Sequence, residues 1–243
     1  MRRKGIIMRI AVISDIHSNI LALESVLEDI KLKQVDLIVC LGDLVGYCTF
    51  PNEVINLIRQ RNITTIMGNY DEAVGNEMLV CGCDYPAPKD AENAGLSLNW
   101  TIDNVTEENK KFLGELPGEF KLKFKGKNIT FVHGSPRKIN EYLKENSEEA
   151  REVMESIEED VLVCAHTHKP YYKMYDNKLL INSGSVGKPK TGNPKANYVI
   201  MEVLDDIKVE IIEVAYNFEK IASAIEENEL PKEFADIIRT GNA

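Results

Sequence analysis

Residues 9–17 read Arg-Ile-Ala-Val-Ile-Ser-Asp-Ile-His, an apolar and partly β-branched run that stops at Asp15 and delivers His17 two positions later. Runs of this length and type are buried strands. The same form recurs five times along the chain. Asp36 to Leu41 stops at Gly42-Asp43, Ile63 to Met67 at Gly68-Asn69, and Asn128 to Val132 at His133-Gly134. Val161 to Ala165 stops at His166-Thr167-His168, and Lys178 to Ile181 at Asn182-Ser183-Gly184.

Between the first of these runs the apolar period changes. Ile20, Leu23, Val26, Leu27 and Ile30 repeat at three and four, an amphipathic helix, and Pro51 opens a second helix that carries Val54, Ile55, Leu57 and Ile58. The early chain is therefore βαβαβ, which implies a parallel sheet whose ligand site gathers beyond the carboxyl ends of the strands. The polar stops all lie at those ends. The later half is antiparallel in character: Phe120, Leu122 and Phe124 alternate with lysines before the Gly126-Lys127 turn, and Tyr171 to Ile181 and Tyr198 to Val214 have the same hairpin form. The fold class is mixed α/β. Residues 72–116 hold two helices, near Ala91 to Trp100 and Glu107 to Leu113, the second capped by Thr106, and are expected to form a cap or insertion in a single domain spanning 1–243. Helical pieces near Phe218 to Ile225 and Lys232 to Ile238 close the chain, and the acidic helices Glu24 to Asp29 and Glu148 to Asp160 are expected to be solvated faces.

With 243 residues, 44% hydrophobic and 28% charged, the chain is long enough to bury a full core without disulfides. Its net charge of −10 gives no electrostatic case for duplex nucleic acid or an anionic membrane as partner. The basic start Met1-Arg2-Arg3-Lys4 precedes an apolar run too short for a secretory segment, Met8 is a candidate natural start, and no stretch is long enough to cross a bilayer; the expected location is the cytoplasm. Of five cysteines, Cys40 and Cys164 sit in strand-like runs as core residues, whereas Cys81-Gly82-Cys83 is spaced for a redox or metal pair.

All four histidines, His17, His133, His166 and His168, fall at or just beyond strand ends, alongside Asp15, Asp43 and Asn69. Imidazole plus carboxylate without thiolate suits Mn, Fe, Ni or Zn. Seven candidate ligands exceed the roughly four to six that one ion takes, so the count points to two divalent ions with one carboxylate bridging. Two ions about 4 Å apart can clamp a phosphoryl group and generate a hydroxide near neutral pH, which predicts phosphoester or phosphoanhydride hydrolysis.

Asp15-Ile16-His17, Gly42-Asp43, Gly68-Asn69 followed by Asp71, His133-Gly134 and His166-Thr167-His168 resemble, in order and spacing, the five motifs of the calcineurin-like metallophosphoesterases, over roughly residues 8 to 215. The resemblance implies a four-layer α-β-β-α sandwich of two mixed sheets flanked by helices. It implies that Asp15, His17, Asp43 and His168 hold one metal, that Asp43, Asn69, His133 and His166 hold the other, and that Asp43 bridges. The expected catalytic group is Asn69, Tyr70 and Asp71, and Asn19 and the Gly184-Ser185-Val186-Gly187 loop resemble family features near the phosphate.

Where the family motif has a histidine after Gly-Asn, this chain has Tyr70. A phenol with a pKa near 10 is a poorer acid than imidazolium, which favours leaving groups that need little protonation, such as a nucleotide. The segments Gly46 to Pro51, Gly68 to Glu72 and Cys81 to Tyr85 resemble a bacterial branch that includes asymmetric diadenosine tetraphosphate hydrolases. Lys188, Lys190 and Lys195 offer a counterpart to a polyphosphate tail, and Tyr47 or Tyr85 a face for a base. The expected substrate is a small phosphorylated molecule, a nucleotide polyphosphate first. General or cyclic-nucleotide phosphodiesterase activity, phosphoprotein phosphatase activity and a non-catalytic scaffold of the same fold are the alternatives.

Overall fold

Alternation along the first strand, β1 (Met8–Ile13), sets the layers: Ile10 and Val12 enter one apolar cluster while Ala11 and Ile13 enter another on the opposite face. Successive strand side chains point to opposite faces, so a strand apolar on both must be covered on both. The structure is a computed structural model describing residues 7–85 and 87–242; the basic start Met1-Arg2-Arg3-Lys4 lies outside the described residues.

After β1 come α1 (Ile20–Leu32), β2 (Leu37–Cys40), α2 (Pro51–Gln60), β3 (Thr64–Thr65), α3 (Asn69–Gly75), α4 (Pro88–Asn104) and α5 (Glu107–Gly114). β4 (Glu119–Phe124), β5 (Lys127–Val132), α6 (Glu148–Ser156), β6 (Val161–Cys164), β7 (Tyr171–Tyr175) and β8 (Lys178–Asn182) follow. β9 (Ala196–Val203), β10 (Ile207–Val214), α7 (Phe218–Glu227) and α8 (Lys232–Thr240) complete the chain. Two five-stranded sheets result, in the orders β10-β9-β1-β2-β3 and β4-β5-β6-β8-β7. Both are mixed: β1, β2 and β3 run parallel, as do β5, β6 and β8, with antiparallel hairpin strands at the edges.

One cluster joins the facing sheets, through Ile10, Val12, Val39 and Met201 from the first and Phe131, Val163 and Ile181 from the second. The outer face of the first sheet packs on α1, α2, α7 and α8, and on residues of α3 to α5 such as Ala73, Leu98 and Leu113. The outer face of the second packs on Ala150, Val153 and Met154 of α6. The architecture is the four-layer sandwich of two mixed sheets flanked by helices.

Local differences from the sequence reading have local causes. The strand expected over 63–67 shrinks to Thr64–Thr65, because Met67 N–H leaves the ladder for the Pro117 carbonyl at 2.7 Å. The helix expected near 91–100 runs from Pro88 to Asn104, started by a proline in its first turn. The acidic segment 148–160 is helical only to Ser156 and buries one apolar side. Among the described residues no helix is long and apolar enough to cross a membrane.

Candidate metal centre

Six strands run parallel to a neighbour, and the chain just past each carboxyl end supplies the site. Asp15 and His17 follow β1, Asp43 follows β2, Asn69 follows β3, His133 follows β5, and His166 and His168 follow β6. The loop after β8 braces them, with Val186 and Gly187 N–H groups donating to the carbonyls of Ser14 and Asp15. The loops after β2 and β3 touch: a Cβ on Gly42, where φ is +87°, would fall 2.2 Å from Gly68 N, and one on Gly68 would fall 2.2 Å from Asp43 Oδ1. Only glycine at both positions lets Asp43 and Asn69 share one site.

Two buried clusters form. Asp15, His17 and His168 make one, and Asp43, His133 and His166 the other, the ligand atoms of each lying within 4.8 Å of one another. Asp43 Oδ2 stands between them, 3.7 Å from His17 Nε2 and 3.5 Å from His133 Nε2. Asn69 joins the second cluster, its Oδ1 3.1 Å from His133 Nε2. All seven residues expected as ligands therefore converge.

The residues fit cations. His17, His133 and His168 each direct Nδ1 at a backbone carbonyl, of Val45, Leu41 and Lys188 respectively, at 2.6–2.9 Å. The proton sits on Nδ1, so each Nε2 presents a bare lone pair. His17 Nε2 nevertheless lies 3.3 Å from His168 Nε2. Asn69 Nδ2 is committed to the Cys81 carbonyl and Cys83 Sγ, so the oxygen 3.1 Å from His133 Nε2 is also an acceptor. Acceptor faces acceptor in both places, an arrangement that a shared cation resolves. Asp15 Oδ1, fully buried, has no hydrogen-bond partner among the described residues. Asp15, His17, Asp43, His166 and His168 all adopt the left-handed backbone region, φ +47° to +64°, a cost of order 1 kcal/mol or more each that surrounding structure must sustain.

Burial favours the uncharged form of these groups, which leaves imidazoles competent to ligate and puts a proton in competition with a cation on the carboxylates. Burial lifts the Asp15 carboxyl to about 7, and burial together with Asp71 lifts Asp43 well above the carboxylate range. Burial and the nearby lysines hold His17 and His168 well below the usual imidazole range, and burial and His133 do the same to His166. His17, His166 and His168 are thus neutral and ready to ligate.

The remaining residues expected in the site separate into two groups. Tyr47, Tyr70 and Lys188 line a pocket of about 760 Å³ that opens over both clusters and also holds Tyr85, Tyr142, Lys144, Lys169 and Lys190. The Tyr70 ring meets His17 edge-on at 5.6 Å, and its buried hydroxyl has no partner among the described residues. Lys188 Nζ sits 3.8 Å from the centre of the Tyr47 ring, a cation–π contact, and burial lowers its pKa to about 7.

Asn19, Asp71 and Lys195 stand elsewhere. Asn19, expected to touch substrate, is completely buried; Oδ1 caps α1 through Ala22 N–H, and Nδ2 donates to the Gly187 carbonyl and Tyr216 hydroxyl. No donor remains for phosphate. Asp71, expected in the catalytic group, accepts the N–H groups of Asp43, Leu44 and Gly68 at 2.8–3.0 Å, so it shapes the Asp43 loop from behind. Lys195 pairs with Glu213 at the surface. Lys144 and Tyr142 lie in a segment without a motif, and only their gathering in three dimensions reveals them; Lys169 directly follows the His166-Thr167-His168 motif.

A family model, the calcineurin-like phosphoesterase superfamily domain, matches residues 8–206 of the chain, a span that includes all seven converging residues. The chain belongs to this superfamily. An uncharacterised protein of Methanocaldococcus jannaschii is 39% identical over 92% of this chain and 94% of its own length. A metallophosphoesterase from Sphaerobacter thermophilus superposes with a TM-score of 0.80 at 30% identity, covering 96% of this chain and 99% of that one. A hypothetical protein from Pyrococcus horikoshii superposes at 0.84 with 25% identity, covering 97% and 100%. The chain is accordingly a metal-dependent phosphoesterase of calcineurin-like fold.

Proposed function

We propose that this calcineurin-like phosphoesterase hydrolyses nucleoside polyphosphates, with asymmetric cleavage of a dinucleoside tetraphosphate as the leading case. The observation that carries the reading is the pocket over the two ligand clusters, which brings Lys144, Lys169, Lys188 and Lys190 together in a chain of net charge −10. Asp84, Asp90 and Glu233 also line it, but the lysines flank the histidines: Lys188 O accepts from His168 Nδ1, and Lys190 N–H donates to the His168 carbonyl. Such charges complement a chain of phosphates, and the volume is that of a small-molecule site.

Asp15, His17, Asp43 and His168 would hold one divalent ion and Asp43, Asn69, His133 and His166 a second; the N/O donor set accepts Mn, Fe, Ni or Zn. Bound ions supply Lewis acidity toward the phosphoryl oxygens and lower the pKa of water. The side chains do the rest. Lys144 and Lys190 neutralise phosphate charge, Lys188, lowered to about 7 by burial, donates a hydrogen bond to it, and Tyr85 and Tyr142 offer aromatic faces to a base. Tyr70, whose burial raises its pKa far above neutrality, keeps its proton and serves as a hydrogen-bond donor. A phosphate leaving group, with a secondary pKa of about 6, departs without full protonation, which suits anhydrides better than alkyl esters.

The test compares kcat/KM of manganese-loaded protein on diadenosine tetraphosphate, bis(4-nitrophenyl) phosphate and a phosphoserine peptide, in the wild type and in Lys144→Ala/Lys190→Ala. The tetraphosphate should be preferred, and the double variant should raise its KM by about 10-fold or more, the loss of a charge-assisted contact, while the diester changes little. Preference for the diester, with equal losses on both, would point to a general phosphodiesterase. No turnover of any substrate would leave the scaffold reading.

A further inference from the structure

Cys81 and Cys83 flank Gly82 in the loop between α3 and α4, with their sulfurs 3.2 Å apart. Gly82 has φ +74°, the left-handed conformation that turns both side chains to one side. Cys83 lines the pocket and is open to a small solute, whereas Cys81 lies behind it, 8% exposed. Cys40, Cys48 and Cys164 are completely buried. The pair is tied to the centre through one side chain. Asn69 Nδ2 donates to the Cys81 carbonyl at 3.0 Å and to Cys83 Sγ at 3.2 Å, and these bonds aim its Oδ1 at His133 Nε2.

We propose that Cys81 and Cys83 are a modification site for hydroperoxides, and that closing their disulfide releases Asn69 from the second ligand cluster. One sulfur of the hydrogen-bonded pair attacks the peroxide, breaking the O–O bond to give a sulfenic acid and one molecule of alcohol or water. The other sulfur then attacks the oxidised one; the S–S bond forms, the S–O bond breaks, and the hydroxyl leaves as water with the thiol proton. Two thiols lose two electrons and two protons, and the peroxide gains them. Bonded sulfurs lie about 2.05 Å apart, so the pair must close by more than about 1 Å, which withdraws Cys83 Sγ or the Cys81 carbonyl from the amide they orient. Outer partners that orient a ligand typically govern metal affinity by about 10- to 100-fold.

The control of Asn69 rests on reading Asn69 as a ligand, and the thiol chemistry does not. The experiment treats the metal-free full chain with hydrogen peroxide, removes the excess with catalase, and reads two quantities. Free thiols should fall from five to three, with the new disulfide mapped by peptide mass to Cys81–Cys83. Manganese titration should then show one site weakened by about 10-fold or more, restored by dithiothreitol. Cys81→Ser and Cys83→Ser, each compared with itself before and after peroxide, should hold their manganese affinity. A disulfide elsewhere, a Cys81–Cys83 disulfide with unaltered manganese binding, or serine variants that lose affinity as the wild type does would each overturn the proposal. An untreated protein that binds no manganese would sink the metal reading and the control of Asn69 with it, while the mass spectrum would still report on the thiols.

Discussion

The Nε2 atoms of His17 and His168 face each other across 3.3 Å, and both rings give their Nδ1 proton to a backbone carbonyl. Two lone pairs held at that distance repel unless a cation lies between them. The same opposition recurs between Asn69 Oδ1 and His133 Nε2. The protein therefore stores ligand geometry that a divalent ion relaxes, and millimolar manganese or zinc should raise the melting temperature relative to protein in excess chelator. At a free concentration about 100 times the dissociation constant the gain is about 2.7 kcal/mol for one site. Identical melting curves with and without metal would contradict the reading.

Manganese binding should release protons. A carboxyl lifted to about 7 is protonated in the metal-free protein below that pH, and the ion must displace the proton, whereas imidazoles held below their usual range carry none to lose. Apparent affinity should rise with pH through about 7, where Asp15 loses its proton, with Asp43 adding to the rise in the same direction. Calorimetry at pH 6 in two buffers of different ionisation enthalpy measures the released protons. Equal heats in both buffers would show that Asp15 and Asp43 are both already ionised.

Asp43→Ala should remove the oxygen standing between both clusters. Manganese stoichiometry should fall below two, and hydrolysis should drop by a factor on the order of 10³ or more. Retention of half the activity would exclude Asp43 as a bridge.

Asp71→Asn separates bracing from chemistry. Three backbone N–H groups converge on this carboxylate, and an amide can accept with only one end. The other end sets N–H against N–H, at a cost of about 1–3 kcal/mol for a buried donor left unpaired. Urea unfolding should show that loss, accompanied by weaker manganese binding. A large fall in turnover with unchanged stability and unchanged metal affinity would return Asp71 to the catalytic group.

Much of this was legible because parallel strands place ligands by a simple rule. Asp15, Asp43, Asn69 and the histidines each follow an apolar run, and strand polarity brings those ends together. Other residues were misplaced where a second role uses the same sequence position. Asn19 follows His17 by two residues but immediately precedes the apolar period of α1, the position of an N-cap. Asp71 is adjacent to Tyr70, yet as the third residue of α3 it reaches back to Gly68 N–H and away from the pocket. Lys144 reaches the pocket from the loop after β5, and no periodicity marks a loop residue that tertiary folding carries to a distant site; Lys169 adjoins His168, and only the folded pocket shows that it joins the other lysines.

Tyr70→His would supply the acid that the family motif normally provides. If the phenol limits the enzyme to easily expelled leaving groups, this variant should gain about 10²-fold on an alkyl phosphate ester, the contribution of a general acid. Its rate on diadenosine tetraphosphate should change far less. Parallel changes on both substrates, measured as kcat/KM, would show that Tyr70 acts on something other than the leaving group.

The most direct measurement of the central claim is chromatography of the products when manganese-loaded protein meets diadenosine tetraphosphate, with Asp43→Ala alongside. The account predicts ATP and AMP in equal amounts from the wild type and neither from the variant. An intact dinucleotide, or cleavage that persists in Asp43→Ala, would contradict it.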